Sequence, residues 1–173
     1  MNDFIVSCGS TADLSEETAK KRNIAVLPFC FRIGETDYAD DFGKSISNEE
    51  FYKLTSGGAK VKTSQISSGR YVEFFEPFLK DGKDVLHVTL SSGLSGTYES
   101  CLSAKKELEA KYPERKVYVI DSLCGSMGYG MLVLSAADYR DEGRSAAEIA
   151  ALLEEDRKKV KAFYFTPDLS AFI

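Results

Sequence analysis

Several large function classes need residues that this sequence has little of. It carries a single histidine, His87, so a Ser-His-Asp triad has only one residue to serve as its base. Cations are the minority: the net charge is -5 at pH 7, without the basic face that a nucleic-acid surface needs. No apolar run approaches the roughly 20 residues of a membrane-spanning helix, and the N-terminus lacks a basic region followed by an apolar signal core. The expectation is a cytoplasmic protein with no stable membrane insertion. Cys8, Cys30, Cys101 and Cys124 are scattered, without the paired spacing of metal ligands, and are expected to be free, partly buried thiols. There is no Walker-type Gly-Lys-Ser/Thr sequence, and Gly93-Leu94-Ser95-Gly96 lacks the spacing of a nucleophile elbow. No cofactor or metal is expected.

The stretch from Thr89 to Ser103, TLSSGLSGTYESCLS, organises what is present. Val85 to Leu90 before it suits a buried strand, and a helical pattern runs from about Ser95 to Tyr112 after it. Between them, Ser91 to Thr97 packs four hydroxyls and two glycines into seven positions. A strand entering a helix through small residues leaves unpaired N–H groups, the helix dipole and nearby hydroxyls in one place, which suits an anion. A serine-rich N-cap without a ligand accounts for the same residues.

At 173 residues the chain suits one domain, or one domain and the start of another. Phe4 to Cys8 reads as a strand, and the Asp13–Glu16 spacing as a capping box before a short helix through Lys21. Ile24 to Ile33 is a second apolar run in which Pro28 predicts an edge or a bend. Gly34 to Ser45, with Asp37, Asp40 and Asp41, reads as a surface loop. Ser47 and Glu50 box the helix Glu49–Thr55, which Gly57-Gly58 closes. An extended Val61–Gln65 segment precedes a helix from about Gly69 to Lys80, where Pro77 predicts a bend or a shortening. Val117 to Asp121 is a strand, Ser122 to Gly128 a turn, and a long helix reaches about Arg140. Ser145 and Glu148 box a last helix to about Lys159, and Phe163-Tyr164-Phe165 begins another strand.

Strands alternating with helices predict a three-layer α/β/α fold with a mostly parallel sheet and right-handed crossovers. Gly9-Ser10-Thr11, the serine loop and Asp121-Ser122 all follow strands, at the carboxyl edge where open α/β sheets bind ligands. Thr63-Ser64-Gln65 joins them if its segment folds over that edge. A hydrolase with Ser95 as nucleophile would need His87, which sits on a strand whose apolar run reads as buried. Phe29, Phe31, Phe74, Phe75, Phe78, Phe163 and Phe165 fit ordinary core positions, or the lining of a tunnel leading from the hydroxyls.

Taken together, Gly9-Ser10-Thr11-Ala12-Asp13-Leu14, Thr63-Ser64-Gln65, Ser91 to Tyr98 and Asp121-Ser122 resemble the motifs of the DegV family, bacterial fatty-acid-binding proteins, in order and spacing. The resemblance implies a DegV-like α/β domain over residues 1–160, residues 161–173 beginning a second lobe that is otherwise missing. It also implies a long-chain fatty acid as ligand, its carboxylate held by Thr63 and Ser95, with Ser10, Thr11, Ser64, Ser92, Gly96 and Thr97 in support. The implied partner is a fatty acid kinase that phosphorylates the bound carboxylate, the family member performing no chemistry itself. Two residues depart from the family pattern: Gly9 stands where an aspartate is usual, and Ile66 where a proline is. Besides the hydrolase, a truncated fragment that binds nothing is the remaining reading.

Overall fold

A computed structural model describes residues 4–163 and 165. Its frame is a four-stranded, wholly parallel sheet of β1 (Phe4–Gly9), β2 (Ile24–Leu27), β6 (Asp84–Thr89) and β7 (Val117–Asp121), in the order β2-β1-β6-β7. β1 is buried at every position, as a central parallel strand covered on both faces must be. Alternation sorts its side chains: Phe4, Val6 and Cys8 meet one core, and Ile5 the other. The first core is closed by α5 (Ser126–Asp141) and α6 (Ala146–Asp156), the second by α3 (Ser68–Lys80) and α4 (Thr97–Lys111). The predicted three-layer α/β/α architecture is therefore present.

A second, antiparallel sheet lies between β2 and α3 in the chain. It consists of β3 (Cys30–Ile33), β4 (Thr36–Ala39) and β5 (Val61–Ser64), in the order β4-β3-β5, with Cys30 opposite Ser64. The expected Gly34–Ser45 loop thus contains a strand, and the apolar run Ile24–Ile33 serves two sheets, broken at Pro28 and Phe29. Helix α2 (Asn48–Ser56) crosses over from β4 to β5, its N-terminus capped by the Ser47 hydroxyl, which accepts from Glu50 N–H at 3.1 Å. No residue of α2 is fully buried.

Other local expectations need correction. Helix α1 (Glu16–Lys21) is capped by Ser15, not Asp13; Asp13, at φ 54°, instead closes a single 3-10 turn over Ser10–Ala12. Helix α3 continues through Pro77 to Lys80, because its packed face of Tyr71, Phe75 and Leu79 outweighs the one missing donor. Helix α5 starts at Ser126, so the turn before it is shorter than expected. The capping box of Ser145 and Glu148 forms in both directions. Phe163 and Phe165 are highly exposed and in no regular element; Tyr164, in the middle of the expected strand, lies outside the described residues.

Two core features lock the sheet to its helices. Gly130 of α5 sits so close to the 3-10 turn that a Cβ there would strike the Ala12 carbonyl. Replacing it with alanine forces helix and turn apart, and a destabilisation of about 1–3 kcal/mol is expected in urea unfolding. His87 on β6 is fully buried, its Nδ1 2.9 Å from Ser7 Oγ and its ring against the edges of Tyr71 and Phe75. Burial pushes it from the usual 6.5 down to about 3. The unfolded chain therefore takes up a proton below pH 6.5 that the folded chain refuses until about pH 3. Stability is lost as pH falls through that window, by up to about 1.4 kcal/mol per pH unit from this group. His87→Gln should flatten the slope of unfolding free energy between pH 6.5 and 4, measured by denaturant titration; an unchanged slope refutes the assignment.

Candidate functional site

A cavity of about 560 Å³ opens where the carboxyl edge of the parallel sheet meets the small sheet. The parallel side contributes Thr11, Phe29, Leu90, Leu94 and Ser95; the small-sheet side contributes Phe31, Val61, Thr63, Ser64, Gln65, Ile46 and Phe51. Its size matches a pocket for one small ligand. Thr63 and Ser95, distant in sequence and on different sheets, line the same space.

Thr97 fixes their relation. Its buried Oγ1 accepts a long bond from Ile66 N–H, 3.4 Å, just after β5, and lies 2.8 Å from Ser95 Oγ. Thr97 N–H donates to Ser95 Oγ at 3.2 Å. When Thr97 also donates its hydroxyl proton to Ser95, the Ser95 proton is left for the cavity. Gly96 begins α4 with no side-chain cap, and a Cβ there would collide with Gln65 Oε1, so glycine lets the Gln65 side chain close over the loop. From β7, Asp121 Oδ1 accepts Ser92 N–H and Leu123 N–H, each at 3.1 Å, and Cys124 O accepts Ser91 N–H at 3.0 Å. Asp121 and Ser122 thus hold the serine loop and do not line the cavity.

The expected supporting residues divide. Thr11 and Ser64 line the cavity; Ser10, Ser92, Gly96 and Thr97 do not. Thr11 Oγ1 is buried with no hydrogen-bond partner among the described residues. Ser10 Oγ accepts Phe29 N–H at 3.0 Å and so fixes the start of the small sheet. Ser92 is exposed on the outside of its loop. Sequence reasoning named Gln65 only within the Thr63-Ser64-Gln65 segment and did not single out Ile46 or Phe51. The only signal for Phe51 was a helix with an apolar stripe, which in isolation reads as a core face. Of the seven phenylalanines considered, Phe29 and Phe31 line the cavity, while Phe74, Phe75 and Phe78 pack with the core beneath α3.

Asp13, Asp40 and Asp41 also border the cavity, and among the described residues no lysine or arginine does. The Ser45 hydroxyl and amide hold the Asp41 carboxyl below its usual range, so it stays ionised. Asp37 is spent on Arg32, paired through two contacts of 2.6 and 2.7 Å. For an anion the cavity lining offers the hydroxyls of Thr11, Thr63, Ser64 and Ser95 and the Gln65 amide, without a counter-charge. The hydrolase reading loses its base: His87 is in the core, bound to Ser7, and does not border the cavity.

Comparison with known proteins follows the same segments. The family model described as "Uncharacterised protein, DegV family" matches residues 5–172. A DegV domain-containing protein of Clostridium perfringens is 36% identical over 168 residues, which are 97% of this chain and 57% of that protein. A solved DegV family protein from Thermus thermophilus, described by its fatty acid binding, superposes with a TM-score of 0.79 at 28% identity, covering 90% of this chain and 54% of that one. A stearic acid-binding protein from Eubacterium ventriosum gives 0.78 at 27% identity, over 89% of this chain and 52% of its own. The chain therefore spans little more than half the length of these relatives. The match runs from β1 through the serine loop and past the last helix, and by that extent the chain belongs to the DegV family.

Proposed function

We propose that this chain binds a long-chain fatty acid, with the carboxylate at Ser95 and Thr63 and the tail in the cavity between the two sheets. The observation that carries the reading is that these two residues, from different sheets, line one cavity of mixed polar and aromatic walls at the carboxyl edge of the sheet. The fatty acid binding described for the Thermus thermophilus protein and the stearic acid binding of the Eubacterium ventriosum protein support it.

The division of labour is a matter of magnitudes. Burying a tail contributes roughly 0.8 kcal/mol per methylene, less the cost of immobilising it, so the tail supplies most of the affinity. Each charge-assisted hydrogen bond to the carboxylate adds on the order of 1.5–3 kcal/mol and supplies orientation. A carboxylate draws the Ser95 proton into the cavity while Thr97 donates to Ser95 from behind. The bound head is then presented at the sheet edge, where a fatty acid kinase phosphorylates it; this chain itself carries out no chemistry.

Denaturing mass spectrometry of the purified protein should release one equivalent of fatty acid. Ser95→Ala and Thr63→Ala should each weaken palmitate binding by about tenfold or more, the size of one lost charge-assisted bond. Repeated absence of lipid together with no binding on titration would refute the reading. A serine-directed fluorophosphonate should leave Ser95 unlabelled, since His87 is buried in the core away from it; labelling that disappears in Ser95→Ala would establish the hydrolase instead.

A further inference from the structure

Among the residues on the parallel-sheet side of the cavity, Phe29 is held the most firmly. Phe29 follows β2 and is held at both backbone groups: its N–H donates to Ser10 Oγ at 3.0 Å, and its carbonyl accepts Asp40 N–H at 2.8 Å. Its ring lies directly on Gly9, at the end of β1. A Cβ built on Gly9 would lie 2.7 Å from Phe29 Cε2 and 3.3 Å from Cδ2, inside any normal contact. Glycine here does not serve an unusual backbone, since Gly9 has an ordinary extended conformation with φ -84°. It serves the ring. Phe29 is nonetheless among the residues facing the cavity. On the opposite side, Phe31 stacks on Tyr38 and meets Phe51 edge-on, all three only half-buried, on a helix and sheet that can shift without opening the main core.

Resting on the fatty-acid reading, we propose that Phe29 is a specificity-determining residue: seated on Gly9, it is a rigid wall that admits unbranched tails and rejects tails with side branches near the carboxylate. Position sets which part of the tail it meets. Ser95 lies in the loop that follows β6, the strand next to β1, and the ring over the end of β1 lines the same cavity, so the ring faces the part of the tail nearest the carboxylate. A branch in this stretch meets a ring that cannot retreat, because Gly9 and both backbone bonds fix it.

Palmitic and phytanic acids test this cleanly, since they share one backbone length and differ only in methyl branches that begin beside the carboxylate. The unaltered chain should prefer palmitate by about tenfold or more, the ratio expected when one extra methyl overpacks a fixed wall. Phe29→Ala and the milder Phe29→Leu should bring the two ligands to within about threefold, chiefly by improving phytanate. Gly9→Ala should act in the opposite sense, driving the ring into the cavity and weakening palmitate with Ser95 and Thr63 untouched. Equal loss of both ligands in Phe29→Ala and Phe29→Leu would show a merely structural role and overturn the proposal. So would palmitate binding with an unchanged preference. Failure of the unaltered chain to bind either acid would instead defeat the fatty-acid reading itself.

Discussion

The site depends on one buried hydroxyl standing between two sheets that share no ladder. Thr97 Oγ1 accepts the Ile66 amide of the small sheet's trailing edge and touches Ser95 Oγ, the polar centre of the parallel sheet's loop. The Thr97 side chain is fully buried, so the alternative to these partners is an unsatisfied polar atom, which costs about 1–3 kcal/mol. The small sheet is thereby set against the large one where Thr63 and Ser95 border the same space. Asp121 braces the serine loop from the other side by accepting Ser92 N–H, while also accepting Leu123 N–H of its own turn. A network of neutral donors, oriented by buried acceptors, can grip an anion without a lysine or arginine.

How much of this was legible in the sequence follows from where the energy lies. The parallel strands announce themselves because both faces are buried and their residues run apolar, as in Val85 to Val88 and Phe4 to Val6. The helix caps at Ser47 and Ser145 are local chemistry and were readable as such. The antiparallel sheet was not, since its strands are four residues long and β4, Thr36–Ala39, is polar enough to pass for a loop. Pro77 misled in the other direction: a buried aromatic face keeps α3 intact across it. The hydroxyl cluster pointed to the sheet edge at which the cavity opens, but spacing alone could not separate residues that border the cavity from residues that hold its walls. Ser10 and Thr97 are of the second kind.

Gly9 illustrates why such distinctions need coordinates. In the sequence it is a departure from the family's usual aspartate. In the fold it is the vacancy that the Phe29 ring occupies. The two residues are 20 positions apart and belong to different strands' ends, so neither one alone carries the information that they act together.

The parallel sheet pairs β1 with β6, joining residues as far apart as Ser7 and His87, 80 positions along the chain. Everything that forms the outer wall, β3, β4, α2 and β5, lies inside that one closure. Once the closure is made, lengthening the intervening chain costs only about 0.6 kcal/mol for each doubling. The fold can therefore vary the segment from Cys30 to Ser64, in length as well as in sequence, while the sheet that carries its stability stays as it is. The cavity's outer wall is drafted in the part of the chain that is cheapest to rewrite.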